Sequence, residues 1–289
     1  SLLGVGLATV VKGSGARYTR LTENARVIVN PAGEVTVHTG VSPHGQGTET
    51  TFAQITADAL GVTPAQVQVL HSDTGVLPTG GGTGSSRGLI AGGTSLHVVL
   101  QEARQKLMAI SAHLLDCPQE DVVLQDHLAF SRRDPQQTVP FARLAEAAHT
   151  EELLPPGQEP GLDFIGSNTL GKSPYAFGAH VAVVEVSRET GAIKILKYVG
   201  VHDSGTVINP MLTDGQVHGA LAQGIGQALL EDIAYSPEGQ PLAGSLMDYA
   251  LPRADNMPSF TFETMETPSP ITGLGVKGIG ELPTLAAPA

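Results

Sequence analysis

Tryptophan is absent from the 289 residues, and aromatic content is only 4%. A nucleic-acid partner read by stacked bases is therefore not expected. Cys117 is the sole cysteine, which excludes an intramolecular disulfide and any cysteine-cluster metal site. We read it as a partly buried structural thiol before Pro118. Charged residues make up 15% of the chain, against about 25% in ordinary soluble domains. Acids outnumber bases 28 to 16, the net charge is −12, and basic residues form no run. Such a chain repels a phosphate backbone, so no nucleic-acid partner is expected. No stretch approaches the roughly 20 apolar residues of a membrane span, and no secretory leader pattern stands out. A cytoplasmic location is the expectation.

Glycine, by contrast, is abundant at 35 residues, well above the usual share of about 7%. Many backbone sites must therefore need unusual dihedrals or close approach. Hydrophobic residues at 41% can build a real core. The length suggests about two domains on a prior of roughly 150 residues each. The chain opens on Ser and closes on LAAPA, ends that read as cut from a longer polypeptide.

Hydrophobic periodicity gives the elements. Residues 26–40 alternate around Pro31-Ala32-Gly33 as a β-hairpin. Phe52, Ile55 and Ala59 share a helical face that stops at Gly61, and 67–71 form a short strand. Leu96, Val99, Leu100, Ala103, Leu107, Ile110 and Leu114 mark a long helix closed by Pro118. Residues 122–131 read as a hairpin and 139–149 as a short helix. The acidic, Pro-rich stretch EELLPPGQEP (151–160) is the expected linker. A further hairpin spans 179–201. Asn209 is an N-cap with Pro210 in the first helical position, and Val217, Ala220, Leu221, Ile225, Ala228 and Leu229 form that helix's buried stripe. Strands are expected near 245–251 and 259–263. Each half repeats a hairpin, a glycine-containing loop and a helix near a Gly-Gln, namely Gly45-Gln46-Gly47 and Gly215-Gln216. The expected fold is α+β, two tandem two-layer subdomains at 1–155 and 156–289.

The stretch GSNTLGKS (166–173) matches the P-loop pattern letter for letter. A P-loop needs a following helix whose amino terminus holds phosphate. Here Pro174 follows, then strand-like alternation, so we read 166–173 as an extended surface connection and Lys172 as a solvated lysine.

Glycines also cluster in SPHGQGTETT (42–51), TGGGTGSSRG (79–88), VHDSGTVINP (201–210) and GVKGIGE (275–281). The first three lead into helices. Each is either a Gly-rich turn or a set of exposed N–H groups suited to anionic oxygens. Three in one chain point to a phosphate-bearing cofactor. In the fourth, Glu281 is either a general base presented among glycines or a surface Glu before Leu282-Pro283.

These four loops, in this order, resemble the molybdenum-cofactor subunit of the xanthine dehydrogenase and aldehyde oxidase family. SPHGQGTETTFAQI is closest to the carbon monoxide dehydrogenase-like branch. HDSGTVINPMLTDGQVHGALAQGIGQALLE and GVKGIGELPT are also family-typical, and the match spans 42–284. The resemblance implies molybdopterin cytosine dinucleotide, with the pterin dithiolene rather than the protein holding the metal. It implies cofactor contacts from Gln46, Gly47, Thr48 and Thr50, from Thr83, Gly84, Ser85 and Ser86 near the metal, and from Asp203, Ser204, Gly205, Ile208 and Asn209. Gln216 and Lys277 complete the set, and Glu281 takes the place of the catalytic base. The implied reaction oxidises an aldehyde, an N-heterocycle or a related small substrate with water-derived oxygen. Electrons would leave through 2Fe-2S clusters and FAD on partner subunits or absent segments. The chain departs from the pattern in lacking the family's amino-terminal half, with its FGG-type loop and substrate-facing residues, and in reading GSSRG where relatives commonly have GSRS. Its expected identity is thus the carboxy-terminal part of a larger subunit, inactive alone. An inactive scaffold of the same fold and a P-loop nucleotide-binding protein are the alternatives.

Overall fold

The computed structural model describes residues 1–15 and 21–288. In chain order the strands and helices are β1 (Leu2–Gly13), β2 (Leu21–Val29), β3 (Val35–Thr39), α1 (Thr48–Leu60), β4 (Val67–His71), α2 (Thr94–Leu114), β5 (Val122–Gln125), β6 (Leu128–Ser131), β7 (Asp134–Pro140), α3 (Phe141–Ala148), β8 (Asp163–Leu170), β9 (Tyr175–Val186), β10 (Ile193–Asp203), α4 (Pro210–Leu229), β11 (Phe260–Met265) and α5 (Leu282–Ala286).

Contacts divide the chain into two compact units. One holds β1, Ser173–Pro270 and the chain from Gly275; the other holds 21–172 with Ile271–Leu274. The expected cut at 155/156 does not coincide with this division. β1 pairs antiparallel with β9 along its whole length, so the amino-terminal strand belongs with the later half. β8 pairs with β2 and stays with the earlier half. The expected linker is built into the earlier unit. Leu154 and Leu162 are buried, and Lys106 on α2 donates to the carbonyls of Glu159 and Gly161.

The two units share one topology. In the first, the β2–β3 hairpin leads through α1 to β4, which joins β3 in parallel, and β8 flanks β2. In the second, the β9–β10 hairpin leads through α4 to β11, which joins β10 in parallel, and β1 flanks β9. The hairpin–loop–helix repeat is thus a structural repeat. A parallel neighbour needs a crossover, and the helix supplies it. The first unit also carries the antiparallel sheet β5-β6-β7. Its β5–β6 turn places Asp126 and His127 at positive φ, where Asn-Gly would be usual.

Helix faces bury as the periodicity requires. Leu96, Val99, Leu100, Ala103, Leu107 and Ile110 of α2 are buried, and the helix lies on β2 and β8. Val217 and Leu221 of α4 pack with Tyr198, Ala176, Ile279 and Leu282. Ala228 and Leu229, expected in that stripe, are exposed at its frayed end. Residues 245–251 form turns, not the expected strand.

The P-loop-like stretch is largely strand. Residues 166–170 complete β8, and 171–174 turn into β9 with no helix between. Its first glycine serves packing, because a Cβ on Gly166 would sit 3.0 Å from Val99 on α2.

Candidate functional site

The four glycine loops lie at the carboxyl ends of strands β3, β4 and β10 and ahead of α5. In the unit built around β2 and β3, the chain leaves β3 at Gly40 and runs through Gln46 to Gly47. Gly47, at φ 82, is the N-cap of α1, and no side chain caps that helix. The first-turn amides at Thr48, Glu49 and Thr50 are therefore available to an acceptor. Gln46 turns back on its own loop, its Oε1 accepting from His44 N at 2.8 Å. The 79–88 loop lies against this one. Thr83 Oγ1 donates to Ser42 O, and Gly82 N donates to Gly40 O at 3.3 Å. Ser85 and Ser86 follow with φ of 47° and 55°, a left-handed conformation that few non-glycine residues adopt. A π-helical turn, Gly88–Gly93, then leads into α2.

In the other unit the 201–210 and 275–281 loops pair with each other. Gly205 and Val276 form a β-bridge, Lys277 N donates to Ser204 O at 2.7 Å, and Thr206 N donates to Gly275 O at 3.1 Å. A Cβ on Gly205 would collide with the Gly275 carbonyl, so the crossing requires glycine. Asp203 is fully buried beneath it. Its Oδ1 accepts from Gly205 N and from Lys277 Nζ, at 2.9 and 2.8 Å. Its Oδ2 accepts from Thr267 N and Oγ1, at 2.8 and 2.6 Å. Burial alone would raise the Asp203 carboxyl; the hydrogen bonds and the Lys277 charge outweigh it and hold its pKa below the ordinary carboxylate value. Lys277 also lies over the Phe177 ring, 4.8 Å from its centroid. Asn209 caps α4 as expected, accepting from Leu212 N at 3.0 Å, and Ile208 precedes it, half-buried. Gln216 is half-buried one turn and a half into α4 rather than at its start. Glu281 stands at the N-cap of α5, about half exposed, and its Oε2 is paired with Lys12 on β1.

Below Asp203, the inner face of the sheet carries His180, Tyr198 and His202, each at most 2% exposed. Burial, helped by the charge of His202, pushes the His180 imidazole down to about 4. Burial pushes the Tyr198 hydroxyl up to about 12.

The sequence profile of the molybdopterin cofactor-binding domain matches residues 1–258. The chain belongs to that family. It is 34% identical to the nicotine 6-hydroxylase large subunit of Paenarthrobacter nicotinovorans, across 99% of this chain and 36% of that protein. It is 31% identical to the carbon monoxide dehydrogenase large chain of Hydrogenophaga pseudoflava, across 98% of this chain and 36% of that one. The crystal structure of quinoline 2-oxidoreductase from Pseudomonas putida 86 superposes with a TM-score of 0.91 at 34% identity, covering 99% of this chain and 38% of that chain. The chain thus spans 36% of the length of these curated relatives.

The donor sets fit a molybdopterin cofactor. Its phosphates and pterin edge need N–H and O–H donors not already engaged. The uncapped start of α1 supplies amides. The hydroxyls of Ser86 and Ser204 are buried with no partner among the described residues. Side-chain positions at Gly45 and Gly84 open onto empty space. Asp203 and Lys277 are a different case: their charged groups are engaged with each other and with Thr267, so they hold the loops.

Two participants were missed by sequence reasoning. Lys12 reaches Glu281 from a strand 269 positions earlier, and no local pattern marks it. Glu23 on β2 is fully buried and pairs with Arg87 at 2.9 Å. Arg87 sits within TGGGTGSSRG, but its partner lies 64 residues away.

Proposed function

We propose that the chain is the carboxy-terminal, cofactor-holding portion of a molybdenum hydroxylase, with Glu281 as its general base. The observation that carries this reading is Glu281 itself. It is presented at the end of a glycine loop, half exposed, with its carboxylate oriented by Lys12. When bound, the molybdenum–pterin group supplies a two-electron redox centre.

The protein's own residues bind and move a proton. The Thr48–Thr50 amides, with Gln46 and Gly47, hold phosphate and pterin oxygens, and Thr83, Gly84, Ser85 and Ser86 contribute the donors of the second loop. Ser204, Gly205, Ile208, Asn209 and Gln216 contribute the remaining contacts, with Asp203 and Lys277 fixing the loop that presents them. Glu281 Oε accepts the proton of the attacking, water-derived oxygen, which raises that oxygen's nucleophilicity. A molybdopterin cytosine dinucleotide is the form proposed, with 2Fe-2S and FAD centres on partner subunits and a cytoplasmic location. Among the described residues no helix is long and apolar enough to cross a membrane.

Relatives are named for nicotine, 6-hydroxypseudooxynicotine, carbon monoxide and quinoline. We accordingly place the substrate among small molecules, aldehydes and N-heterocycles foremost. The test is Glu281→Gln in the full-length, assembled enzyme. It keeps size and removes the proton acceptor, and general-base catalysis contributes roughly 10²–10⁴ in rate. Reduction by substrate should fall by that order while molybdenum content holds. Gln216→Ala should instead lower molybdenum content. Near-normal reduction by the fully loaded Glu281→Gln enzyme would place the base elsewhere.

A further inference from the structure

Arg87 lies in the TGGGTGSSRG run, but its partner Glu23 belongs to no motif, and the glycines around the pair are arranged to admit it. Glu23 Oε2 accepts from Arg87 Nη1 at 2.9 Å and from Gly81 N at 3.0 Å. Arg87 Nη1 also donates to Gly82 O at 3.0 Å, and Nη2 to Thr22 O at 3.4 Å. The next residue on the strand, Asn24, donates to Thr79 O and Oγ1 at 2.9 and 2.8 Å. Three consecutive residues of β2 therefore grip the 79–88 loop at Thr79, Gly81 and Arg87. A Cβ on Gly81 would fall inside the Arg87 guanidinium, and one on Gly40 would strike Glu23 Oε1. A Cβ on Gly80 would sit 2.6 Å from Gly40 O. The glycines at 40, 80 and 81 thus make room for a buried ion pair and the crossing over it, and are not spent on close approach to a ligand.

We propose that Glu23 and Arg87 are positioning residues that set the 79–88 loop in its ligand-holding shape before any ligand arrives. Ser85 and Ser86 lie in left-handed conformations that side chains resist. Such a turn persists only when its surroundings over-determine it. Arg87 ends the turn, with its N–H bonded to Gly84 O at 2.9 Å and its guanidinium locked to β2. Its charge is neutralised inside the protein by a carboxylate that is 0% exposed. The loop therefore addresses an anionic ligand through its backbone at 83–86 and the Ser86 hydroxyl, and Arg87 does not do so as a phosphate-binding cation. A preset loop spares the ordering cost at the moment of binding. The link to cofactor retention rests on the function proposed above; the preset loop does not.

The experiment compares four full-length proteins: wild type, Arg87→Lys, Glu23→Gln, and the doubly apolar Glu23→Leu/Arg87→Met. Lysine keeps the charge but cannot make the fork that reaches Glu23, Gly82 and Thr22 together. The double variant removes both charges, which buried pairs often tolerate without loss of folding. Two quantities are read: amide hydrogen exchange of the peptide covering 79–88 in cofactor-stripped protein, and the rate of molybdenum loss on dialysis. The expected result is protection of the bonded loop amides, those of Gly81, Gly82 and Arg87, in stripped wild type. In all three variants exchange should be at least tenfold faster and molybdenum loss should accelerate, even where the double variant keeps the wild-type melting temperature. Unprotected Gly81, Gly82 and Arg87 amides in stripped wild type would overturn the proposal without any variant. So would a double variant whose exchange and molybdenum retention match wild type, since the pair would then serve folding alone. Wild type that binds no molybdenum but shows the exchange differences would uphold the positioning role and sink the proposed function instead.

Discussion

Replacing Asp203 with alanine tests how the Ser204 and Lys277 loops are held together. The carboxylate is fully buried and accepts four hydrogen bonds, from Gly205 N, Thr267 N, Thr267 Oγ1 and Lys277 Nζ. The Lys277 side chain is only 9% exposed. Asp203→Ala leaves that ammonium buried with only the Thr267 Oγ1 hydrogen bond and the Phe177 ring face beside it. Hydrogen bonds to charged groups contribute about 1.5–3 kcal/mol each, but four on one carboxylate do not add independently. Removing one partner of a buried ion pair costs about 3–5 kcal/mol, and that is the loss expected. Asp203→Leu/Lys277→Met should lose much less, giving a coupling of about 1–3 kcal/mol in the double-mutant cycle. The assay is urea unfolding at pH 7 followed by far-UV circular dichroism, repeated toward low pH. The folded-state pKa of Asp203 lies below its unfolded value, so its stabilisation is present above the unfolded value and disappears as pH falls through the folded one. The gap between wild type and Asp203→Ala should close over that interval. A loss under about 1 kcal/mol at pH 7, or strict additivity with Lys277→Met, would refute the assignment of these residues as the lock of the loop.

His180 gives a pH signature of the same sign that sets in at higher pH. Its folded pKa is about 4, below the ordinary 6.5, so the unfolded chain takes up a proton first. Stability should be complete above pH 6.5 and fall as pH drops toward 4, by about 3 kcal/mol from this residue. His180→Phe should flatten that slope in a pH series of unfolding curves; an unchanged slope would place the acid sensitivity elsewhere. Lys172→Ala should leave activity of the assembled enzyme unchanged, and calorimetry should detect no ATP binding, because no helix follows 166–173. Micromolar ATP affinity abolished by that substitution would restore the nucleotide reading.

Local pattern carried most of the elements. Helices α1, α2 and α4 announced themselves by periodicity and by caps at Gly61 and Asn209, and the three hairpins by strand runs broken at short turns. β7 went unseen because DPQQTVP is almost wholly exposed and shows no alternation. The supposed strand at 245–251 failed for the converse reason: Leu246 and Met247 are 77% and 93% exposed, so apolar character there reflects no local burial. The unit boundary was not legible, since it depends on β1 pairing with a strand more than 160 positions away. At the site, the glycine loops and Glu281 were visible because their chemistry is concentrated in short runs. Lys12 and Glu23 were not, because each works through a partner distant in sequence. Asp203 and Lys277 were visible as loop residues, but their pairing with each other and with Thr267 was not, because 74 positions separate them.

The central claim is that these loops hold a molybdenum–pterin cofactor, and cofactor content tests it most directly. The full-length protein, purified with its partner subunits, should contain molybdenum, pterin and cytidine nucleotide in equal amounts, each stoichiometric with the chain. Metal analysis by mass spectrometry and nucleotide release by acid hydrolysis measure all three. Substituting Gly47 by valine, at φ 82 where a β-branched residue is strained, should lower them together. A folded, assembled protein that carries no molybdenum and no pterin would contradict the account.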